Sequence, residues 1–123
     1  GLTAGELMTD RFAVIAPVSL VWEADRIRVS TGQTDFPVVD PVSSALSGML
    51  DAVTIQRAMT SGLSSASAAE VLRRDVPVAS EGDPLKGLYT AMVTARTTAL
   101  PVVREGRLVG MVTMEMLRRA AGG

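Results

Sequence analysis

The chain contains neither cysteine nor histidine among its 123 residues. These absences exclude a disulfide framework, the usual zinc ligands, the usual general base near neutral pH, and the Ser/His and Cys/His nucleophilic arrangements. Most familiar hydrolytic chemistry is therefore excluded, and we expect a module that is not an enzyme and has no catalytic residue and no metal site. The lack of cysteine also fits a cytoplasmic location.

An excess of one charge and a long hydrophobic run are also missing. Twelve basic and thirteen acidic residues give a net charge of −1, and no basic stripe is available to neutralise a phosphate backbone, so we expect no nucleic-acid partner. The longest apolar stretch, Phe12 to Val18, is far shorter than the roughly 20 residues that span a bilayer, so the module itself is not expected to insert in a membrane. Because the chain begins at Gly1 and not at methionine, we expect it to be a piece of a longer protein.

An internal repeat organises the sequence. Three pairs of short segments match: Glu6–Met8 with Glu70–Leu72, Phe36–Val39 with Leu100–Val103, and Gly48–Leu50 with Gly110–Val112. The first two pairs are separated by 64 residues and the third by 62. The sequence therefore predicts two copies of one unit, at residues 5–60 and 68–121, joined by a Ser/Gly-rich linker at residues 61–67.

Hydrophobic periodicity predicts the order β-α-β-β-α in each copy. In the first copy we predict strands at Val14–Ala16, Phe36–Val39 and Leu46–Leu50, a helix capped by Ser19, and a closing helix at Val53–Met59. In the second copy we predict strands at Val76–Ala79, Leu100–Val103 and Arg107–Val112, a helix at Pro84–Ala95 capped by Asp83, a hairpin turn at Glu105-Gly106, and a closing helix at Met114–Ala121. Since about 60 residues cover a sheet poorly, we predict an α/β fold with the two repeats packed about a pseudo-twofold axis.

Three motifs then suggest a family: Leu7-Met8-Thr9, an apolar residue followed by Pro-Val-Val, and Gly-Met before the closing helix. Their order and duplication resemble a pair of cystathionine β-synthase (CBS) domains, a Bateman module, over essentially the full chain. The resemblance implies a regulatory module that requires no cofactor and binds AMP, ADP, ATP or S-adenosylmethionine, or sometimes Mg²⁺, in clefts between the strands and the closing helices. It also implies a homodimer, formed by packing helices of two modules, and an attached effector domain.

The order of three further segments indicates which effector this is. Leu7–Arg11, Val14–Pro17 and Phe36–Asp40 are similar to CBS pairs that follow membrane-embedded site-2 zinc metalloproteases of bacteria. Such a parent would make the module the cytoplasmic part of a membrane protein. Inosine monophosphate dehydrogenases, Mg²⁺ and chloride transport proteins, and stand-alone CBS pairs are the alternatives.

The family's polar ligand motif is Gly-apolar-x-[Ser/Thr]-x-x-Asp, and neither copy has all of it. The second copy begins the motif at Gly110 and has Thr113 at the hydroxyl position, but Met116 stands where the ribose-binding aspartate would be. The first copy has Asp51 at the hydroxyl position and Thr54 at the carboxylate position. Because Asp51 near a helix N-terminus would repel a phosphate, the second cleft is the better candidate.

The same residues have structural interpretations that stay open. Thr113 and Asp51 can serve as helix N-caps, and Pro37 and Pro101 fit either the start of an edge strand or backbone left free to face an adenine ring. The remaining ligand-contacting candidates that the resemblance implies are Ile15, Val38, Val78 and Val102. Two functions follow: a sensor of an adenosine-type ligand that controls an effector, or a purely structural dimerisation module with vestigial nucleotide clefts.

Overall fold

The computed structural model describes residues 1–122, which form two compact units. Unit 1 combines Gly1–Arg11 with the segment from Asp75 onward, and unit 2 is Phe12–Arg74. The helices are α1 (Ala4–Leu7), α2 (Val21–Thr31), α3 (Ala52–Thr60), α4 (Ala68–Val71), α5 (Leu85–Ala95) and α6 (Met114–Gly122), and the strands are β1 (Asp35–Val39), β2 (Leu46–Asp51), β3 (Ala99–Arg104) and β4 (Arg107–Thr113). The predicted α/β class with two repeats is confirmed.

Each unit is built around one antiparallel hairpin, β1–β2 in unit 2 and β3–β4 in unit 1. Both hairpins carry a register shift at the same place in the repeat, between Val38 and Val39 in unit 2 and between Val102 and Val103 in unit 1. The four strands appear where the sequence predicts them, within one residue at each end. The repeat therefore preserves the register of the sheet and its bulge.

The predicted leading strands, Val14–Ala16 and Val76–Ala79, are wrong as extended strands. Each is reduced to a single parallel bridge, Ile15 with Val38 and Ala79 with Val102. A parallel ladder would continue through a backbone N–H at residue 37, but Pro37 has none to donate to the carbonyl of residue 13. This carbonyl, on Ala13, accepts instead from Gln33 Nε2 at 2.8 Å.

Pro37 and Pro101 each lie in a two-stranded sheet, but their carbonyls are hydrogen-bonded on the side away from the paired strand. The carbonyl of Pro37 accepts from the Ile15 amide at 3.0 Å, and the carbonyl of Pro101 accepts from the Ala79 amide at 2.8 Å. On the other side, β2 and β4 pair with the two prolines' strands. Both prolines are therefore buried between two neighbours.

The predicted caps of the first helices are also wrong. Helix α2 begins after Leu20 and not after Ser19, and α5 begins after Pro84 and not after Asp83. Neighbouring backbone takes their first amides: Val21 N–H donates to the Ala66 carbonyl at 2.8 Å, and Leu85 N–H donates to the Leu2 carbonyl at 3.1 Å. The Asp83 carboxylate accepts from the Ser80 amide at 2.9 Å instead.

Two short helices were not predicted from the hydrophobic periodicity: α1 begins the first repeat, and α4 begins the second. Each has a Glu three residues after its cap: Glu6 accepts from the Thr3 amide at 3.1 Å, and Glu70 accepts from the Ser67 amide at 2.7 Å. The Ser/Thr-x-x-Glu spacing of a capping box could have predicted both. Each leading helix lies in the unit that the other repeat's hairpin builds, so the spatial units are offset from the sequence repeats.

The cores of the two units use equivalent positions. In unit 1 the buried cluster is Ala4, Ala79, Leu88, Met92, Leu100, Val102, Val112 and Leu117. In unit 2 it is Ile15, Ala24, Phe36, Val38, Leu50, Ile55 and Ala68. Across residues 1–122, every helix is too short or too polar to cross a lipid bilayer.

Candidate functional site

Thr113 stands where β4 ends and α6 begins, and it is half-buried. Its Oγ accepts from the Met116 amide at 3.3 Å, while the Met114 amide donates to the Thr98 carbonyl at 2.8 Å. The predicted capping role of Thr113 is therefore confirmed. A hydroxyl that accepts one amide still has a hydrogen to donate, so the cap leaves Thr113 able to bind an acceptor atom of a ligand.

Gly110, three residues earlier, allows a close approach of the leading segment of unit 1. A Cβ at this position would lie 2.5 Å from Met8 Sδ. The next residues pair across the same edge, because Thr9 and Met111 exchange two backbone hydrogen bonds of 3.0 Å. Gly110 thus has a packing role beside the Thr113 cap.

Asp51 occupies the corresponding place in unit 2, at the junction of β2 and α3. Its Oδ1 accepts from the Thr54 amide at 2.8 Å, and the Ala52 amide donates to the Thr34 carbonyl at 2.9 Å. The predicted capping role of Asp51 is confirmed as well. The two junctions therefore have the same backbone geometry but differ in charge, with a carboxylate in unit 2 and a neutral hydroxyl in unit 1.

The two residues at the ribose position, Thr54 and Met116, are both half-buried in the first turns of α3 and α6. Thr54 also lines a cavity of about 250 Å³ in unit 2, together with Arg57, Ala58 and Ser61. Neither side chain carries the carboxylate that would accept hydrogen bonds from two ribose hydroxyls. Recognition of a ribose through this position is therefore weakened in both units.

The predicted ligand-contacting residues in and beside the strands differ in their exposure to solvent. The side chains of Ile15, Val38 and Val102 are at most 1% exposed and belong to the cores. Val78, in contrast, is 56% exposed beside the bridge residue Ala79. The repeat spacing of 64 residues pairs Val78 with Val14, which is 39% exposed, and sequence reasoning singled out its buried neighbour Ile15 instead.

Two further cavities lie in unit 1. A groove of about 780 Å³ runs along α5 and includes Pro77, Lys86, Thr90 and Thr94 in its lining. A slot of about 230 Å³ lies between α5 and α6. Thr113 lines neither of them. Within the described part of the chain no group of three acidic, cysteine or histidine side chains could hold a metal ion.

Residues 68–123 match the family model of the CBS domain. Three solved structures are similar over 98% of this chain and cover 96% of their own: CBSX2 in complex with AMP (24% identity, TM-score 0.83), the CBS domain pair of protein MJ0100 in complex with 5′-methylthioadenosine and S-adenosyl-L-methionine (24%, 0.85), and the CBS-domain containing protein ATU1752 from Agrobacterium tumefaciens (16%, 0.85). At these identities the similarity shows the fold. No curated protein matches the sequence.

Proposed function

We propose that this chain, which belongs to the CBS domain family through residues 68–123, is a regulatory module whose unit 1 binds an adenosine-type ligand and which forms a homodimer. Two proteins with the same fold hold AMP, or 5′-methylthioadenosine with S-adenosyl-L-methionine, in their solved structures. Ligand binding in place of catalysis also agrees with the chemistry of the candidate residues, which include no histidine or cysteine.

The observation that carries the proposal is the difference between the two helix caps. In unit 1 the neutral Thr113 caps α6, and a hydroxyl beside helix N-terminal amides is compatible with a phosphate or another anionic group. In unit 2 the Asp51 carboxylate already accepts the Thr54 amide at 2.8 Å and adds a negative charge to the same place. We therefore expect one nucleotide site per chain, in unit 1.

Calorimetric titration with AMP, ADP, ATP and S-adenosylmethionine, each with and without Mg²⁺, tests this assignment. Thr113→Ala is expected to weaken the tightest of these ligands at least tenfold, because one charge-assisted hydrogen bond contributes about 1.5–3 kcal/mol. Asp51→Ala is the matched control, since it also removes an N-cap and costs a comparable stability of about 1 kcal/mol. It is expected to leave the affinity unchanged.

A gain-of-function variant sharpens the same test. Met116→Asp places a carboxylate at the ribose position of unit 1, in the first turn of α6, where a negative charge also suits the helix. We expect tighter binding of ribose-containing ligands than in the wild type. If no ligand gives heat with either protein while both remain dimeric, the purely structural dimerisation module replaces the sensor. Thr54 and Met116, which stand where the family motif has an aspartate, favour this structural module.

We also propose that the module controls an attached effector, a membrane-embedded zinc metalloprotease, and lies on the cytoplasmic side. The support is the resemblance of Leu7–Arg11, Val14–Pro17 and Phe36–Asp40 to CBS pairs that follow such proteases. A zinc protease domain would show His-Glu-x-x-His on an apolar helix in the longer reading frame. A reading frame that instead encodes a dehydrogenase or a transporter would overturn this part of the proposal.

A further inference from the structure

Helix α2 presents an aromatic side chain on the surface of unit 2. Trp22, the single tryptophan of the chain, is 38% exposed. Val29, seven residues later on the same face of the helix, is 67% exposed. The Arg26 guanidinium lies 5.0 Å from the centroid of the Trp22 ring, and the Trp22 amide donates to the Ser64 carbonyl at 3.0 Å. The guanidinium contact restrains the indole, and the hydrogen bond fixes the backbone that carries it.

Unit 1 contains a slot between α5 and α6 that is lined by apolar side chains and by two exposed cationic residues. Its volume is about 230 Å³, and its lining residues are Leu85, Lys86, Tyr89, Leu117, Arg118 and Ala121. Tyr89 is 48% exposed, whereas Leu117 is 1% exposed and belongs to the core. In the part of the chain that the structure describes, no acidic side chain forms an ion pair with Lys86 or Arg118.

The slot suits an indole in size and in electrostatics. Its volume is that of roughly eight water molecules at about 30 Å³ each, which is below the usual range for a nucleotide-sized ligand. A cation is attracted to the face of an aromatic ring, and tryptophan is the best acceptor of this kind. Lys86 and Arg118 supply cations that form no ion pair among residues 1–122, and Tyr89 supplies a second ring for an offset or edge contact.

The two repeats differ at this place. A spacing of 64 residues aligns Trp22 of α2 with Lys86 of α5, so the repeat carries an aromatic side chain in one unit and a cation in the other. If α5 and α6 of two copies packed against each other, Lys86 and Arg118 of one copy would face Lys86 and Arg118 of the other. Packing α2 of one copy against α5 and α6 of another brings one cation, Arg26, to the slot in place of two, and places the Trp22 ring beside Lys86 and Arg118.

We infer that Trp22 of one copy inserts into the α5–α6 slot of a second copy. The inference rests on the homodimer proposed above and adds its contact residues. With a twofold axis each dimer contains the contact twice, since residue i touches residue j and residue j touches residue i. Large aromatic side chains in desolvated pockets are the residues that dominate such interfaces.

Dimer affinity, measured by sedimentation over a dilution series, is the first test. Trp22→Ala removes the ring, and Ala121→Phe fills the slot from its exposed rim without deleting core atoms. Each is expected to weaken the dimer at least about 30-fold. Val42→Ala is the matched control, because Val42 is 93% exposed on a loop, and it is expected to change nothing. In the wild type, Trp22 fluorescence is expected to shift to the red as the dimer dissociates.

Cross-linking between introduced cysteines identifies the surfaces that meet. Because the chain has no cysteine of its own, only the introduced residues can react. Val29→Cys labels the α2 face and Ala121→Cys labels the rim of the slot. A short bis-maleimide is expected to link dimers only when the two single-cysteine proteins are mixed. Linking within either single-cysteine protein alone would show like faces meeting and would overturn the inference while leaving the homodimer intact. A wild type that is monomeric at every concentration would overturn both.

Discussion

Unit 1 and unit 2 build the same backbone frame from different side chains. In both, the carbonyl of a proline in the first hairpin strand accepts the amide of the bridge residue, Ile15 in unit 2 and Ala79 in unit 1, and the register shifts after the next residue. Core positions exchange one apolar side chain for another, as in Ile15 against Ala79. Two differences in charge lie at a helix cap, Asp51 against Thr113, and on an exposed helix face, Trp22 against Lys86. The frame is thus held by backbone hydrogen bonds and by glycine and proline positions, which leaves the outward positions free to diverge in charge and shape.

Glycine-to-alanine substitutions at the equivalent positions 48 and 110 are expected to show the largest difference in stability between the two units. A Cβ at Gly48 would collide with the backbone carbonyl of Arg73, which cannot move without losing its pairing with Met49. The three atoms nearest to a Cβ at Gly110 all belong to the flexible side chain of Met8, at 2.5 to 3.1 Å. We expect Gly48→Ala to lower the free energy of unfolding by about 3 kcal/mol and Gly110→Ala by about 1 kcal/mol, as measured by urea denaturation.

A double variant tests whether the stability loss in Gly110→Ala comes from a collision with the Met8 side chain. Shortening the side chain in Gly110→Ala/Met8→Ala is expected to cost less than the two single losses combined, because the added methyl then occupies space that Met8 has left. Equal losses for Gly48→Ala and Gly110→Ala would contradict the assignment of backbone against side-chain collision.

The sequence predicted the four hairpin strands and the closing helices well because those elements combine local periodicity with strong end signals. Gly106 in the hairpin turn and the caps Asp51 and Thr113 are such signals, and the structure confirms the two caps. The predicted caps Ser19 and Asp83 failed for a non-local reason. The amides of α2 and α5 are taken by backbone from segments 64 to 66 and around Leu2, which the local sequence of each helix does not contain.

The candidate site was predictable in part. The repeat and the family motif led to the junctions at positions 51 and 113, but they gave no measure of exposure. Ile15 was therefore chosen where its neighbour Val14 is the more exposed side chain, at 39%. The slot between α5 and α6 was not foreseen because its lining comes from two helices separated by a hairpin. Such cavities depend on how side chains from distant segments pack.

The hairpin turns of the two units also differ, and a substitution there is expected to have a smaller effect on stability. Unit 1 turns in two residues, Glu105 and Gly106, with φ of 52° and 77°, whereas unit 2 uses the longer loop after Asp40. Both φ values fit a type I′ turn, for which Asn-Gly is preferred and a glutamate is strained. We expect Glu105→Asn to raise the free energy of unfolding by about 0.5–1 kcal/mol, measured by urea denaturation. Glu105→Ala is the control, since alanine keeps the strain, and an equal gain there would exclude this explanation.

Acidification is expected to produce the smallest effect, by a different route in each unit. In unit 2 the Ser67 amide, and then its hydroxyl, lower the pKa of Glu70, which completes the capping box at the start of α4. In unit 1 the bidentate contact with Arg104, at 2.7 and 2.9 Å, lowers the pKa of Glu81. A carboxylate whose folded pKa lies below its unfolded value stabilises the fold above the unfolded pKa, about 4.3 for glutamate. This stability is lost as the pH falls through the lowered pKa.

Salt separates the two contributions. Glu70 is exposed, and the side chain of Glu81 is 34% exposed. Each variant, Glu70→Gln or Glu81→Gln, is therefore expected to flatten only slightly the decline in stability measured by urea denaturation between neutral pH and about pH 3. The Glu81–Arg104 part should shrink when the salt concentration approaches about 1 M, where the screening length is about 3 Å. The Glu70 part should persist, because its partners are a neutral amide and a neutral hydroxyl. A Glu81→Gln variant whose pH dependence matches the wild type at low salt would show that this ion pair adds no measurable stability to unit 1.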